Sequence, residues 1–174
     1  LISFIISANN GIKRIKSIIE RLSYRFGEKI IWQDHEYYMF PSIEALASAT
    51  EENLRECGCG YRAPFIQKTA QLVQEGLINL NTLRHMDYLK AKEQLLKFPG
   101  VGPKVADCIL LFSLGKSEAF PVDVWIERIV ETLYYDEVKV FKDIRQFAAD
   151  KFGPLAGYAQ QYLFYYAREK KIGK

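Results

Sequence analysis

Lys104 stands at a position where a helix normally avoids positive charge. It follows the Gly- and Pro-rich stretch "FPGVGP" and is the second residue of a helix that Pro103 is predicted to begin. The N-terminal end of a helix is electropositive and favours Asp or Glu over a cation. Local rules of this kind tend to be broken at functional sites. Lys104 is therefore the first candidate for chemistry in the chain.

The chemistry open to Lys104 is nucleophilic attack by its amine. A free lysine is almost entirely charged at neutral pH and is a poor nucleophile. Burial and the positive helix end both disfavour an ammonium group, so we expect Lys104 to be buried and uncharged. A neutral amine can attack an electrophilic carbon and form a Schiff base. The alternative is a surface lysine that binds phosphate through its charge.

Asp123 follows nineteen residues later, in "FPVDVWIERIVETL", and is predicted to cap the next helix. A helix cap alone would explain it. Together with Lys104, however, its carboxylate could stabilise a cationic transition state or assist proton transfer. The two residues together indicate catalysis more specifically than either residue does alone.

The elements around this pair read as helices, and the predicted fold class is all-α. Helical periodicity dominates, and we find no alternating strand pattern and no long repeat. Helices are predicted to begin at Ser42, Thr50 and Pro64. In "DYLKAKEQLLKF" we expect a buried stripe of Leu89, Leu95 and Leu96. We expect one domain over 1–174, with two helical lobes around a cleft.

A tight "PGVG" turn joins two of these helices and predicts a helix-hairpin-helix over about 88–114. In such a hairpin, backbone amides at Gly100, Val101 and Gly102 can approach a DNA phosphate at a helix N-terminus. A sharp turn without a ligand is the alternative. The loop that carries the aspartate covers about 115–125.

Composition is compatible with these interpretations. Of the 174 residues 49% are hydrophobic, which is enough for a packed core, and Lys plus Arg (24) slightly exceed Asp plus Glu (21). Basic residues cluster in "IKRIKSIIERL" and in the tail "AREKKIGK", although either run is also typical of a solvated helix face. The three cysteines fit neither a disulfide framework nor a zinc motif, and no membrane segment or signal peptide is visible. We expect an intracellular protein without membrane association.

Four segments together resemble one family. The string "FPGVGPKVADCILLFSLGKSEAFPVDVW" is similar to the helix-hairpin-helix and Gly/Pro-rich loop with catalytic Asp of base-excision DNA glycosylases, the HhH-GPD superfamily. "SANNGIKRI", "GCGYRAPFI" and "FGPLAGYAQQYLF" resemble segments of its eukaryotic-type 8-oxoguanine DNA glycosylases, in the same order. The resemblance covers nearly the whole chain.

The resemblance implies a role for each matching residue. Lys104 matches the nucleophile that attacks C1′ of the damaged nucleotide and supports strand nicking by β-elimination, and Asp123 matches the catalytic acid. Cys108 and Phe164 match the residues that sandwich the extruded base, and Gln160 matches the reader of its Watson–Crick edge. The implied DNA contacts are Asn9, which fills the vacated stack, Tyr61, which wedges beside it, and Arg14 and Arg62, which grip the orphaned cytosine.

The sequence also departs from the family pattern. Trp125 stands where some relatives have a histidine near phosphate, and no N-terminal β-rich domain is present, so we expect an upstream portion to be missing. No Cys follows Cys108, which predicts no iron–sulfur cluster, and His35 and His85 lack partners at metal-ligand spacing. The family resemblance implies a monovalent cation at the carbonyls of Leu96, Phe98 and Val101 as the one candidate cofactor.

The expected function is a bifunctional DNA glycosylase and AP lyase in base excision repair, with no other cofactor. Its expected partner is double-stranded DNA containing 8-oxoguanine, preferably opposite cytosine, bound by a monomer. The expected location is the nucleus in a eukaryote, and the cytoplasm or nucleoid in a bacterium. The alternatives are a glycosylase for another lesion and a non-catalytic helix-hairpin-helix DNA-binding module.

Overall fold

The computed structural model describes residues 1–139, 143–170 and 172 of the chain. These residues form two compact units. The first comprises Leu1–His85 and Gln94–Val101, and the second comprises Met86–Glu93 and Gly102–Lys174. Lys171 and Lys174 of the basic tail lie outside the described residues.

The first unit contains helices α1 to α6, of which α2 is the longest. The bounds are α1 Ile2–Ser7, α2 Ile12–Phe26, α3 Ile43–Ser48, α4 Glu51–Glu56, α5 Ala63–Gln74 and α6 Leu80–Leu83, with a 3₁₀ turn at Gly60–Arg62. The predicted starts at Ser42 and Thr50 are confirmed, because each side chain accepts a hydrogen bond from the third following backbone N–H. The core of this unit includes Ile5, Ile18, Leu22, Leu54 and Ile66, all fully buried.

A β-hairpin in the first unit corrects the expectation that the chain has no strands. Strands β1 Lys29–Trp32 and β2 His35–Tyr38 pair antiparallel around Gln33 and Asp34, whose φ angles are +50° and +60°. Positive φ at both central residues is the geometry that matches the twist of a two-residue hairpin. Nearly every strand residue is exposed. Since neither strand buries one face, the sequence carries no apolar–polar alternation to reveal it.

The second unit contains the helices from α8 onward and most of α7. Helix α7, Tyr88–Leu95, contributes its first six residues to this unit, which continues with α8 Pro103–Leu114, α9 Val124–Val138, α10 Ile144–Phe152, a 3₁₀ turn Gly153–Leu155 and α11 Ala156–Lys170. Its apolar cluster joins α9, α10 and α11 through Phe120, Ile126, Ile129, Phe147 and Leu163. The all-α class is confirmed, with the small hairpin as the exception.

The buried stripe expected on α7 is partly wrong. Leu95 is 0% exposed, but Leu89 is 67% exposed and Leu96, just beyond the helix, is also exposed. Ala91 and Phe98 are buried with Leu95 instead. Steps of four and three residues keep these three on one side of a helical path, whereas Leu96 is turned about 100° away from Leu95.

Candidate active site

Lys104 lies in the first turn of α8. Gly102 is the N-cap with an extended backbone and Pro103 is the first helical residue, as the sequence predicts. The lysine side chain is exposed. The expectation that the protein itself buries this amine is therefore wrong, because the buried residues of α8 begin at Val105 and the first turn projects beyond the core.

Cys108 lies one turn along α8 from Lys104 and is buried. Burial raises the pKa of its thiol above the ordinary value. Lys104 opposes that rise in the pKa through its charge and a hydrogen bond to the sulfur, while the carboxylates of Asp107 and Asp123 reinforce it. The charges of Lys104 and Asp123 thus both act on the Cys108 thiol, and all three residues belong to the second unit.

Asp123 caps helix α9, as predicted. Its Oδ1 accepts hydrogen bonds from the backbone N–H of Trp125 at 3.1 Å and of Ile126 at 3.0 Å. These bonds fix the carboxylate at the helix N-terminus. Because both bonds use Oδ1, the cap leaves Oδ2 for other chemistry.

Two further predicted residues lie on α11. Gln160 is buried, and its Nε2 donates a hydrogen bond to the carbonyl oxygen of Pro121 at 3.0 Å. This bond ties the amide to the loop that carries Asp123. Phe164 is half-buried, packs against the apolar cluster of the second unit, and lies 5.9 Å from the guanidinium of Arg168. Lys104, Cys108, Asp123, Gln160 and Phe164 thus all belong to one unit.

The two glycines of the predicted hairpin differ in what the fold requires of them. Gly100 has φ +77°, and a Cβ there would lie 2.7 Å from a ring carbon of Phe65. A Cβ at Gly102 would meet nothing within 4 Å. The first glycine is therefore required by local structure. The second leaves open space at the N-terminus of α8, next to Lys104.

Four predicted DNA-contacting residues lie in the first unit. Asn9, in the turn between α1 and α2, is exposed and has φ +51°, a left-handed conformation that Asn tolerates better than most residues. Arg14 is exposed on the first turn of α2. Tyr61 is also exposed, and its ring lies 4.4 Å from the guanidinium carbon of Arg62. The structure brings three of the four, Asn9, Tyr61 and Arg62, into direct contact around this turn.

Arg62 is the buried centre of that group, only 4% exposed. Its Nε donates to the carbonyl of Ala8 at 2.9 Å, and its Nη2 donates to the carbonyls of Ala8 and of Asn9. Tyr61 also places its hydroxyl 3.4 Å from the Ala8 carbonyl. In this structure Arg62 therefore holds the Asn9 turn, and its contact with an orphaned cytosine stays a prediction.

Sequence reasoning missed Asp107, which is fully buried in α8 between Lys104 and Cys108. It accepts a hydrogen bond from the Tyr88 hydroxyl at 2.8 Å and pairs with Lys92 at 2.7 Å and Arg145 at 3.2 Å. Burial, reinforced by the negative charge of Asp107, raises the pKa of Tyr88 well above its ordinary value. An Asp inside "VADCILL" was the available signal, since a carboxylate is almost never buried without partners.

The described part of the chain contains neither a group of metal-ligating side chains nor a helix that could span a membrane. There, no three His, Cys, Asp or Glu side chains lie close enough to hold a metal ion. At the hairpin, the carbonyl of Phe98 accepts the N–H of Val101 at 3.1 Å. None of the described helices has the length and apolar character needed to cross a membrane.

Comparison with models of protein families shows which family the chain belongs to. Residues 2–153 match the model of the HhH-GPD superfamily base excision DNA repair proteins. The chain belongs to the HhH-GPD superfamily. The matched region contains Lys104, Cys108 and Asp123 at the centre of the site, and it ends before the helix that carries Gln160.

Individual HhH-GPD relatives extend the match through α11. A probable N-glycosylase/DNA lyase from Methanothermobacter thermautotrophicus is 37% identical over 99% of this chain and 61% of its own length. The N-glycosylase/DNA lyase of Saccharomyces cerevisiae is 35% identical over 99% of this chain and 54% of its own length. The chain thus spans little more than half of these curated relatives.

Solved structures of HhH-GPD proteins agree with this fold. The Clostridium acetobutylicum 8-oxoguanine glycosylase/lyase, in complex with double-stranded DNA containing cytosine opposite 8-oxoguanine, superposes with a TM-score of 0.90 at 45% identity. The match covers 98% of this chain and 59% of that one. A 3-methyladenine DNA glycosylase from Archaeoglobus fulgidus superposes with a TM-score of 0.76 at 31% identity, covering 95% of this chain and 56% of that one. These matches confirm the family resemblance found in the sequence.

Proposed function

We propose that this chain carries the catalytic site of a DNA repair enzyme that excises 8-oxoguanine from duplex DNA and nicks the resulting abasic site. The observation that carries the proposal is the position of Lys104 in the first turn of α8 and of Asp123 at the N-terminus of α9, with the buried Cys108 one turn further along α8. Similarity to N-glycosylase/DNA lyases and to an 8-oxoguanine glycosylase/lyase supports it.

Lys104 supplies the nucleophile in this proposal. Its neutral Nζ attacks C1′ of the damaged nucleotide, and the bond from C1′ to the base breaks as the base departs with the electron pair and takes up a proton. Opening of the sugar gives a Schiff base. Loss of a proton from C2′ then expels the 3′ phosphate by β-elimination, which cuts the strand.

Asp123 complements the lysine electrostatically. Its carboxylate is held by two backbone N–H groups, and its negative charge can stabilise the cationic sugar that develops as the base leaves. The oxygen that the cap does not use can take up a proton from the attacking amine. Because Lys104 is exposed in the free chain, bound DNA has to provide the exclusion of water that favours a neutral amine.

The second unit also provides a base-binding surface. A base inside a duplex has to be extruded before an enzyme can reach it. Cys108 and Phe164 provide the two surfaces between which we propose that the extruded base lies, and the Gln160 amide provides both a donor and an acceptor for its pairing edge. The bond from Gln160 to Pro121 supports this role, because Pro121 belongs to the loop that carries Asp123.

The DNA backbone is proposed to bind at the hairpin. The open space at Gly102 lets a phosphate approach the N-terminus of α8, where unpaired N–H groups and the helix dipole favour an anion. In the first unit, Asn9 and Tyr61 are proposed to fill the gap left by the base. Arg14 and Arg62 are proposed to recognise the cytosine through planar donors.

A monovalent cation at the hairpin remains a separate proposal. Its ligands would be the carbonyls of Leu96, Phe98 and Val101, which are oxygen donors of the kind that hard cations prefer. The Phe98 carbonyl already accepts one N–H, so it has a single lone pair left for a cation. A dependence of duplex affinity on potassium at constant ionic strength tests this site.

The function is tested by base release from duplexes containing a single 8-oxoguanine, 3-methyladenine or thymine glycol. We expect 8-oxoguanine opposite cytosine to be released fastest, followed by strand cleavage. Faster release of 3-methyladenine would instead favour the alkylated-base activity named for the Archaeoglobus relative. Binding of normal and damaged duplexes, measured by fluorescence anisotropy, without any release would indicate a binding module.

A further inference from the structure

The side-chain amide of Gln160 is held by protein at both ends. Its Nε2 donates to the carbonyl of Pro121 at 3.0 Å, and its Oε1 accepts a hydrogen bond from Nε2 of the neighbouring Gln161 at 2.5 Å. Gln160 is 5% exposed, whereas Gln161 lies on the exposed face of α11. A surface side chain therefore contacts the acceptor end of a buried one.

These two bonds determine which way the amide points. A carboxamide has two N–H donors and two acceptor lone pairs, and reversing it exchanges the two ends. In the observed orientation one N–H and one lone pair of Gln160 remain for a ligand. In the reversed orientation Oε1 would face the Pro121 carbonyl, so two acceptors would oppose each other, and the Gln161 amide would also have to reverse to keep its bond to Gln160.

We propose that Gln161 is a positioning residue that fixes the amide of Gln160 and so sets which purine edge the site accepts. The inference rests on the proposed function, because it needs an extruded base beside Gln160. The remaining N–H matches the O6 of a guanine-type base, and the remaining lone pair matches its N1–H. An adenine-type edge presents the reverse pattern, an amino donor and a ring-nitrogen acceptor.

The test replaces Gln161 by three unbranched residues that all favour helices. Lys keeps a donor, Met has none, and Glu at neutral pH can only accept. Single-turnover base release is measured on duplexes with 8-oxoguanine or 8-oxoadenine opposite cytosine, which differ at the pairing edge. Nicking of a duplex with a preformed abasic site is measured in parallel, because that substrate has no base for Gln160 to read.

Gln161→Met is expected to slow release of 8-oxoguanine about three- to tenfold, the loss expected for one hydrogen bond. Gln161→Glu is expected to slow it further and to lower the ratio of 8-oxoguanine to 8-oxoadenine release, because an acceptor favours the reversed amide. Gln161→Lys should restore release to within about twofold of the parent chain. Gln74→Met, at the exposed end of α5, serves as the matched control.

Two results would overturn the inference: parental release rates and edge preference in Gln161→Met and Gln161→Glu, or abasic-site nicking that falls by the same factor as base release. The second result would indicate a merely structural role. A parent chain that nicks abasic DNA but releases no 8-oxoguanine would overturn the proposed substrate instead, and the inference with it. Measurements on the unsubstituted chain distinguish this third result from the first two.

Discussion

Among the residues that the structure describes, each of the two units buries one charged side chain, and the two charges are satisfied in different ways. Among the described residues, Arg62 of the first unit and Asp107 of the second are the charged groups that are buried. Arg62 donates to the backbone carbonyls of Ala8 and Asn9, which belong to a turn. Asp107 instead accepts from side chains on helices α7 and α10.

The difference shows how each set of functional residues is held in place. The turn at Asn9 has a left-handed backbone conformation, and the carbonyls of Ala8 and Asn9 both accept from the Arg62 guanidinium. Lys104 and Asp123 instead lie at the N-termini of helices whose positions are set by apolar packing and, for α8, by the Asp107 network. Loss of Arg62 should therefore change the shape of a turn, whereas loss of Asp107 should loosen a helix.

Asp107→Asn should have the largest effect on stability. It removes the counter-charge of Lys92 and Arg145, and breaking a buried ion pair from one side costs about 3 kcal/mol of unfolding free energy. Tyr88→Phe removes one hydrogen bond to the same carboxylate and one from Lys92 but leaves the buried charge paired, so it should cost about 1–2 kcal/mol. Urea denaturation midpoints of the two variants check the order. A smaller loss for Asp107→Asn than for Tyr88→Phe would contradict the proposed role of the buried charge.

Arg62→Leu should cost about 2 kcal/mol, because the Asn9 carbonyl loses the guanidinium donor and the Ala8 carbonyl keeps only the long bond from the Tyr61 hydroxyl. It should also weaken duplex binding, since the Asn9 turn loses its support. Arg14→Leu, at an exposed position, should change the unfolding free energy by less than about 0.5 kcal/mol. Both variants are expected to relax the preference for cytosine opposite the lesion.

Denaturation midpoints, duplex affinities and base release opposite each of the four bases separate these effects. Unchanged ratios among the opposite bases in both arginine variants would show that neither guanidinium reads the cytosine. Equal stability of the two variants would instead remove the distinction between a buried support and an exposed contact.

Substitutions of the two hairpin glycines should have smaller effects, one on stability and the other on duplex affinity. Gly100→Ala should lower the unfolding free energy by about 1–2 kcal/mol, because its φ is +77° and the added Cβ meets Phe65. Gly102→Ala has space for its Cβ and should leave stability within about 0.5 kcal/mol, while duplex affinity falls about three- to tenfold. Thermal denaturation and anisotropy titrations check the pair. Full duplex affinity in Gly102→Ala would argue against phosphate binding at this helix N-terminus.

Much of the helical framework was predictable because helix ends have local signals. Ser42 and Thr50 cap helices at the predicted starts, Asp123 forms the predicted cap, and the Gly-Pro turn precedes α8 as expected. The hairpin at Lys29–Tyr38 was not predictable, because its strands bury neither face. Local signals fix where helices begin, but they do not reveal which exposed segments pair.

The exposure of charged side chains, and their partners far away in the sequence, were harder to predict. Lys104 was expected to be buried, but the first turn of α8 extends past the packed residues. Arg62 was expected at a surface, yet its partners are carbonyls more than fifty residues away in the chain. Such contacts depend on tertiary packing, which leaves no periodic pattern in one sequence.

The central claim is that the amine of Lys104 forms a covalent bond with the sugar of the damaged nucleotide. It is tested most directly by borohydride reduction of the chain mixed with an 8-oxoguanine duplex, followed by mass spectrometry of the trapped peptide. The adduct should map to Lys104, and Lys104→Ala should form no adduct while unfolding at the same urea concentration, since the side chain is exposed. An adduct on another residue, or full base release by Lys104→Ala, would contradict the claim.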